Sequence, residues 1–259
     1  MVYGHAGGED LQLDLFTPKD ATGPFPAVVI LHGGGWSKGS HEYFRPLAGA
    51  FAARGYVAAS VGYRLAPRHK FPAQIQDVKC AVRWLRANAQ RCQVDSDRIA
   101  ALGFSAGGHL ALLLGVTEAK DGLEGDGGNL DQSSRVQAVI NISGPTDLTR
   151  PEWSDFTRAA FFDLLGGSRD QIPDVYRLAS PTVYIHRGGP PVLTIHGTAD
   201  PVVPYEQAQL LHSTLRKAKV SSRLVPLHGK NHGEDWTVKE HQKVATAILD
   251  FLNTNFRQR

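Results

Sequence analysis

The chain has 259 residues, of which 42% are hydrophobic and 20% charged, and its formal net charge is +3. This length and composition are typical of one large globular domain with a substantial buried core. The positive charge is spread along the chain without a dense Lys/Arg cluster, so nucleic acid is not expected as a partner. The longest apolar runs, such as residues 26–31 and 110–116, are too short to span a bilayer.

The N-terminus lacks the charged-then-apolar pattern of a signal peptide. The chain as given is therefore expected to be cytoplasmic, although a secreted precursor whose signal peptide had been removed would leave the same sequence. No residue spacing indicates a metal site or a cofactor, and the sequence does not indicate an oligomeric state.

Hydrophobic patterning predicts alternating strands and helices in the first half of the chain. Residues 11–16 alternate apolar and polar side chains, as a half-buried strand does. Residues 27–31 form a continuous, largely β-branched run typical of a central strand. The segments that follow are predicted as a helix over 42–54, a strand over 57–61, a helix over 73–89, a strand over 98–102 and a helix through 109–115.

Two cysteines lie in and just after the predicted helix over 73–89. On one continuous helix Cys80 and Cys92 would be about 18 Å apart. That separation is too large for a disulfide, so both are expected to be free thiols, one of them buried.

The second half begins with residues 120–134, which are rich in Gly and Asp and predict a surface loop. A strand over 136–142 precedes residues 146–189, which we interpret as an irregular insertion containing several aromatic side chains. A strand over 191–196, a helix over 204–218, a strand over 222–227 and a helix over 235–252 complete the chain. This alternation predicts an α/β fold, with a mostly parallel sheet flanked by helices on both faces, as a single domain over residues 1–259.

The most informative motif is Gly103-Phe104-Ser105-Ala106-Gly107, which reads G-x-S-x-G between a predicted strand and a predicted helix. This context is typical of a nucleophile elbow, a sharp turn that exposes a serine Oγ. The structural alternative is a Gly-rich turn whose serine only caps the helix. We interpret Ser105 as the nucleophile.

A serine nucleophile needs a general base and a carboxylate that orients it. His232 is the candidate base because its Gly-containing loop follows the last strand, and His228 is the competitor nearer the strand end. Asp200 is the candidate acid because it gives the chain order Ser, Asp, His. Asp147, after the preceding strand, is its rival, and an Asx turn before Pro201 is the structural alternative.

The oxyanion of the tetrahedral intermediate needs backbone N–H donors. Three consecutive glycines follow the strand over 27–31, and the N–H groups of Gly34 and Gly35 are the candidates there. Ala106, at the start of the elbow helix, supplies the third. A phosphate-binding loop is the alternative for such a segment, but neither a G-x-G-x-x-G nor a Lys-Ser/Thr spacing is present.

Five segments together form a specific pattern: HGGGW at 32–36, YRLAP at 63–67, FPA at 71–73, GFSAGGHLA at 103–111 and HGTAD at 196–200. On these segments the chain resembles, from about residue 11 to residue 251, the α/β-hydrolase superfamily, and within it the esterase/lipase group with an HGGG motif, similar to hormone-sensitive-lipase-like esterases. The short N-terminus, which lacks a long helical cap, makes it more similar to compact bacterial carboxylesterases of the acetylxylan/feruloyl esterase kind. Kynurenine formamidases have a similar HGG-x-W loop.

The resemblance implies the same triad, Ser105, Asp200 and His232, and the same oxyanion donors. We therefore expect a serine carboxylesterase that hydrolyses short-chain esters through an acyl-enzyme, with acetyl or feruloyl esters of plant polysaccharide as candidate substrates. The alternatives are an amidase of the formamidase or oligopeptidase type and a non-catalytic ligand-binding homologue. Trp36 and Trp153 are candidate walls of the substrate pocket, within or near a short cap-like insertion.

Overall fold

An eight-stranded sheet forms the centre of the molecule in the computed structural model, which describes residues 1–19 and 21–256. The strands lie in the spatial order β1-β2-β4-β3-β5-β6-β7-β8. Strand β2 is antiparallel to both neighbours, and the six strands from β4 to β8 run parallel. The strand bounds are β1 (Val2–Ala6), β2 (Glu9–Phe16), β3 (Phe25–Leu31), β4 (Val57–Val61), β5 (Val94–Phe104), β6 (Ala138–Ile142), β7 (Val192–Gly197) and β8 (Ser222–Leu227).

Helices connect the parallel strands and cover both faces of the sheet. Their bounds are α1 (Arg45–Ala52), α2 (Ala73–Ala87), α3 (Ala89–Cys92), α4 (Ala106–Val116), α5 (Asp155–Leu165), α6 (Pro173–Leu178), α7 (Glu206–Lys217) and α8 (Val238–Asn255). The α/β-hydrolase class expected from the sequence is confirmed, with β2 as an antiparallel addition near one edge.

The core lies on both faces of the sheet, as the alternation of side chains along β3 shows. Ala27, Val29 and Leu31 point to the face covered by α2 and α4. Val28 and Ile30 point to the opposite face, covered by α1 and α8. Because both faces are buried, a continuous apolar run is the sequence that suits this strand. Each such side chain stabilises the fold by about 1.5–3 kcal/mol.

The candidate site lies at one edge of this sheet. Parallel strands joined by crossover helices place all their carboxyl ends on the same side. Strands β3, β5, β7 and β8 therefore deliver the loops after residues 31, 104, 197 and 227 to a common edge.

Two segments differ from the sequence-based expectation. Strand β1 was not predicted, because it has only five residues and its buried side chains, Tyr3 and Ala6, form too short a pattern. The insertion over 146–189, expected to be irregular, contains helical segments over about half of its length. Its first helix, α5, has two local signals, the N-cap Ser154, whose side chain accepts the N–H of Thr157, and the left-handed C-cap Gly166.

The remaining expectations concern the thiols and the membrane. Cys80 and Cys92 are free, and both are buried rather than only one. None of the helices in the described part of the chain has both the length and the apolar character that a membrane crossing requires.

Candidate active site

Ser105 sits at the sharp turn between β5 and α4. Its backbone has φ 55° and ψ −120°, a strained conformation for a residue with a side chain. The turn is possible because its neighbours are small: a Cβ at Gly103 would overlap the carbonyl oxygen of Gly107, and one at Gly107 would overlap that of Leu31. The local sequence thus produces an elbow that presents the serine Oγ at the N-terminus of α4.

The structure brings Ser105, His232 and Asp200 into one hydrogen-bonded chain. The Nε2 atom of His232 is 2.9 Å from the Ser105 Oγ, and its Nδ1 is 2.7 Å from Asp200 Oδ2. His232 and Asp200 are each only 7% exposed, whereas Ser105 is half-buried at the edge. A base that reaches both the hydroxyl and an orienting carboxylate can accept the serine proton.

The two rival residues have other surroundings. The side chain of Asp147 accepts the backbone N–H and the hydroxyl of Thr149, which is the geometry of a local turn. His228 is exposed on the surface. The geometry therefore favours His232 and Asp200 as the base and the acid.

The segment after β3, residues 32–36, lies against the elbow and is called the glycine loop below. A Cβ on Gly33 would be 3.1 Å from the Phe104 ring and 3.3 Å from the Ser105 Cβ. Gly34 and Gly35 both have positive φ, 107° and 59°. Among the described residues, no backbone carbonyl accepts their N–H groups, and Ala106 is the first residue of α4, where an N–H has no partner within the helix.

The loop after β4, which contains Tyr63 and Arg64, packs against the glycine loop. The Tyr63 hydroxyl donates to the carbonyl oxygen of His32 at 2.8 Å, and the two rings stack with centroids 4.2 Å apart. Next to it, the Arg64 guanidinium forms an ion pair with Asp77, Nη2 to Oδ1 at 2.7 Å. The backbone N–H of Arg64 also donates to that carboxylate. These contacts fix the direction in which the glycine loop leaves the sheet.

A buried histidine links the elbow helix to the glycine loop and to the insertion. His109 is fully buried on α4, its Nδ1 accepts the indole N–H of Trp36 at 3.3 Å, and its Nε2 donates to the carbonyl oxygen of Ala179 at 2.7 Å. Burial lowers the pKa of His109 to about 4. This imidazole is therefore neutral at pH 7 and serves as a structural link rather than a base.

Aromatic side chains border His232. The Phe104 ring lies 5.1 Å from the His232 ring and 6.4 Å from that of Trp236. The indole N–H of Trp236 donates to the carbonyl oxygen of Asn231, one residue before the histidine. Sequence reasoning did not assign a role to either aromatic residue, although Phe104 occupies a variable position of the elbow motif.

Both tryptophans proposed as pocket walls are buried. Trp36 is 2% exposed and Trp153 4%, and the Phe161 ring lies 5.8 Å from the first and 4.9 Å from the second. Trp153 borders a cavity of about 390 Å³ within the insertion. Neither Ser105 nor His232 lines this cavity, so the role of the two tryptophans in substrate binding stays a prediction.

A family model described as BD-FAE matches residues 13–215 of the chain. The chain belongs to the BD-FAE family. A second model, described as TAP-like protein, matches residues 174–257. This BD-FAE chain is similar to the esterase LipC of Mycobacterium tuberculosis, with 37% identity over 95% of the chain and 63% of LipC. It is also similar to the esterase LipQ of the same organism, with 31% identity over 99% of the chain and 62% of LipQ.

The chain thus spans just under two thirds of the length of these curated relatives. Solved structures match it more completely. A thermophilic esterase of Thermogutta terrifontis, Est2, superimposes with a TM-score of 0.84 at 32% identity, covering 98% of this chain and 91% of Est2. A truncated carbohydrate esterase from gut microbiota does so with a TM-score of 0.83 at 27% identity, covering 93% of this BD-FAE chain and 91% of its own.

Proposed function

We propose that this chain is a serine carboxylesterase that hydrolyses short-chain carboxylic esters through an acyl-enzyme. The observation that carries the proposal is the unbroken series of hydrogen bonds from Ser105 Oγ through His232 to Asp200, at a strained turn that opens a helix. Membership of the BD-FAE family and the esterases among its relatives support it.

In this mechanism Ser105 Oγ attacks the ester carbonyl carbon while its proton moves to His232 Nε2. The N–H groups of Gly34, Gly35 and Ala106 stabilise the negative oxygen of the tetrahedral intermediate. The intermediate collapses as His232 gives the proton to the leaving alkoxide, which departs as the alcohol. A water molecule, deprotonated by His232, then attacks the acyl-enzyme, and the proton returns to Ser105 as the carboxylic acid leaves.

Asp200 is suited to stabilise the imidazolium that forms in each step. Burial alone would raise the pKa of its carboxyl group, but hydrogen bonds from His196, His232 and the backbone of Val203 outweigh that effect and lower the pKa well below its ordinary range. The carboxylate therefore stays ionised throughout the working pH range and holds the Nδ1 proton of His232.

The relatives support the substrate class that we propose. Est2 of Thermogutta terrifontis has been solved with propionate and with butyrate bound, which are the anions of short carboxylic acids. Two other matching structures are a carbohydrate esterase from gut microbiota and a bifunctional GH43-CE of Bacteroides eggerthii. We propose short acyl esters as substrates, with acetyl and feruloyl esters of plant polysaccharide as the natural candidates.

The test is steady-state hydrolysis of p-nitrophenyl acetate, butyrate and octanoate, methyl ferulate, acetylated xylan and an N-formyl amide. We expect ester turnover to favour the short chains and to exceed amide turnover. Ser105→Ala and His232→Ala should each lower kcat by a factor on the order of 10⁴ to 10⁶. Full turnover by Ser105→Ala would refute the mechanism, and faster amide turnover would favour the formamidase alternative.

Two matched controls use the rival residues. His228→Ala and Asp147→Asn remove the other histidine and the other carboxylate of these loops, and both variants should retain turnover within about twofold. Stoichiometric inactivation by paraoxon should require Ser105, since Est2 has been solved phosphorylated by that compound. A wild-type protein that is not labelled would instead indicate a ligand-binding homologue.

A further inference from the structure

The carboxylate of Asp200 has a second imidazole next to it. His196 lies in β7 with no exposed surface, and its Nε2 is 3.3 Å from Asp200 Oδ2, the oxygen that also accepts the Nδ1 proton of His232. Two histidines therefore face one carboxylate oxygen, His196 from within β7 and His232 from the loop after β8. The mechanism above uses only His232.

The tautomer of His196 follows from its other contacts. Its Nε2 is 2.8 Å from the carbonyl oxygen of Val203, which can only accept, so Nε2 carries a hydrogen. Its Nδ1 is buried and has no hydrogen-bond partner in the described part of the chain. A proton on Nδ1 would be a buried donor without an acceptor, which is unfavourable. Nε2 therefore carries the hydrogen that Val203 accepts, and Asp200 Oδ2 lies 3.3 Å from the same nitrogen.

Contacts with the protein hold both oxygens of the Asp200 carboxylate. Asp200 Oδ1 accepts the backbone N–H groups of Val202 and Val203 at 2.9 and 2.8 Å. The carbonyl oxygen of the same Val203 accepts the N–H of His196, whose Nε2 also contacts Oδ2. Rotation of the carboxylate would break contacts on both oxygens at once. The position of Oδ2 relative to His232 is thus determined by His196 on one side and by the 200–203 turn on the other.

We propose that His196 is a positioning residue for the reaction, holding Asp200 Oδ2 in line with His232 and sharing its negative charge. The inference rests on the proposed esterase function. Besides Asp200 and His232, the groups that face this cluster are Ser105 beyond His232 and the Tyr205 ring, 5.9 Å from His196. Burial raises the pKa of Tyr205, so this phenol stays neutral. The charge that His232 experiences at Oδ2 is therefore modulated by His196.

His196→Leu removes the donor and keeps an apolar side chain of similar bulk. Without the His196 N–H beside it, Oδ2 is less restrained and carries more of the carboxylate's negative charge, which stabilises the positive charge that develops on His232. We expect kcat for p-nitrophenyl acetate to fall about tenfold with KM unchanged. The acidic limb of the kcat/KM profile should move up by about half a pH unit. If His196 only held β7 against the 200–203 turn, its substitution would change the stability of the fold and leave the pH dependence of kcat/KM unchanged.

Two further variants keep the test decisive if His196→Leu does not fold. The amide nitrogen of Gln reaches the position of Nε2, so His196→Gln should keep the acidic limb of the kcat/KM profile where it is in the wild type. Asn is too short for that position, so His196→Asn should show the same shift as Leu. The control is Thr194→Val, two residues earlier on β7, whose buried hydroxyl has no partner in the described residues. Thr194→Val should leave kcat and the acidic limb of the kcat/KM profile unchanged.

The role of His196 would be overturned if the acidic limb of the kcat/KM profile did not move in His196→Leu or His196→Asn. If Ser105→Ala is inactive in the same assay, the esterase proposal stays intact. A shift in Thr194→Val as large as in the His196 variants would also overturn the role of His196, because the effect would then reflect general disturbance of β7. Ester turnover that survives Ser105→Ala would refute the proposed function itself.

Discussion

At the scale of single residues, His109 shows how a buried polar group can organise a site without taking part in its chemistry. It bonds Trp36 after the glycine loop and Ala179 in the insertion, from a position one turn after the elbow. Its neutrality is a condition of these contacts, because the imidazolium could not accept the Trp36 N–H. The site therefore contains a structural histidine whose protonation opposes folding.

This neutrality predicts a pH dependence of stability. The pKa of His109 is about 4 in the folded chain against about 6.5 when unfolded, so the unfolded state binds more protons between these values. The stability that the neutral His109 contributes to the folded state is complete above pH 6.5. It is lost as pH falls towards 4, by about 3 kcal/mol in total. Burial lowers the pKa of His32 as well, which adds in the same direction.

Urea unfolding at pH 7.0 and pH 4.5 measures this loss. His109→Gln, which carries no titrating group, should lose clearly less stability between the two pH values than the wild type does. His5→Gln replaces an exposed histidine and should keep the wild-type difference. An unchanged difference in His109→Gln would contradict the assignment of the proton uptake to this residue.

At the scale of elements, α2 packs against the loop after α4 through buried charges. Lys79 has no exposed side-chain surface and its Nζ is 2.6 Å from Glu124 Oε1, while Arg83 Nη1 is 2.7 Å from Oε2. One carboxylate thus balances two buried cations of the helix. Burial lowers the pKa of Lys79, an effect that the hydrogen bond from the Lys79 ammonium to Glu124 opposes. The loop over 118–135 is therefore attached to the core although its sequence reads as a surface segment.

Glu124→Gln should destabilise the protein by about 3 kcal/mol, because two buried cations lose their counter-ion. The free energy of unfolding in urea at pH 7 measures the effect. Glu152→Gln is the matched control, since it removes the carboxylate of an exposed pair with Arg150 and should change stability by less than about 0.5 kcal/mol. Equal effects of the two substitutions would show that the buried cluster does not stabilise the fold.

At the scale of the whole molecule, an aromatic side chain couples the insertion to the edge of the sheet that holds the candidate site, in addition to the contact made by His109. Phe161 of α5 is fully buried and contacts Trp36, Trp153 and Tyr176. On the same helix, a Cβ on Gly35 would meet Ala160 at 3.7 Å. The helix therefore lies directly on the glycine loop, and the position of that loop depends on the packing of α5.

Phe161→Ala should cost about 3–5 kcal/mol of stability because it leaves a cavity among these aromatic side chains. It should also lower kcat for short esters, since the glycine loop loses its support. Phe162→Ala changes the next residue, which is 51% exposed, and should stay within about 0.5 kcal/mol of the wild type. Urea unfolding and ester kinetics on both variants check this. If kcat remains normal in a destabilised Phe161→Ala, the loop does not depend on α5.

The sequence predicts those parts of the molecule that local chemistry determines. The elbow could be recognised because Gly103 and Gly107 are required by the turn itself, and the loops of Asp200 and His232 because each follows a strand. Strand β1 was not predicted because five residues give too short a pattern, and the helices of the insertion were not predicted although α5 carries local capping signals at Ser154 and Gly166. The contact of His196 with Asp200 was also missed, because it depends on how the 200–203 turn folds back on β7. The catalytic roles themselves stay predictions until the variants are measured.

The hydrogen bond between Ser105 and His232 joins residues 127 positions apart. Contacts of such long sequence separation form late in folding, because a long loop must close before they stabilise the chain. The elbow packs against β3 and β6, whereas Asp200 and His232 follow β7 and β8. On the proposed mechanism, regain of turnover during refolding therefore requires the last two strands to have joined the sheet as well as the elbow to have formed.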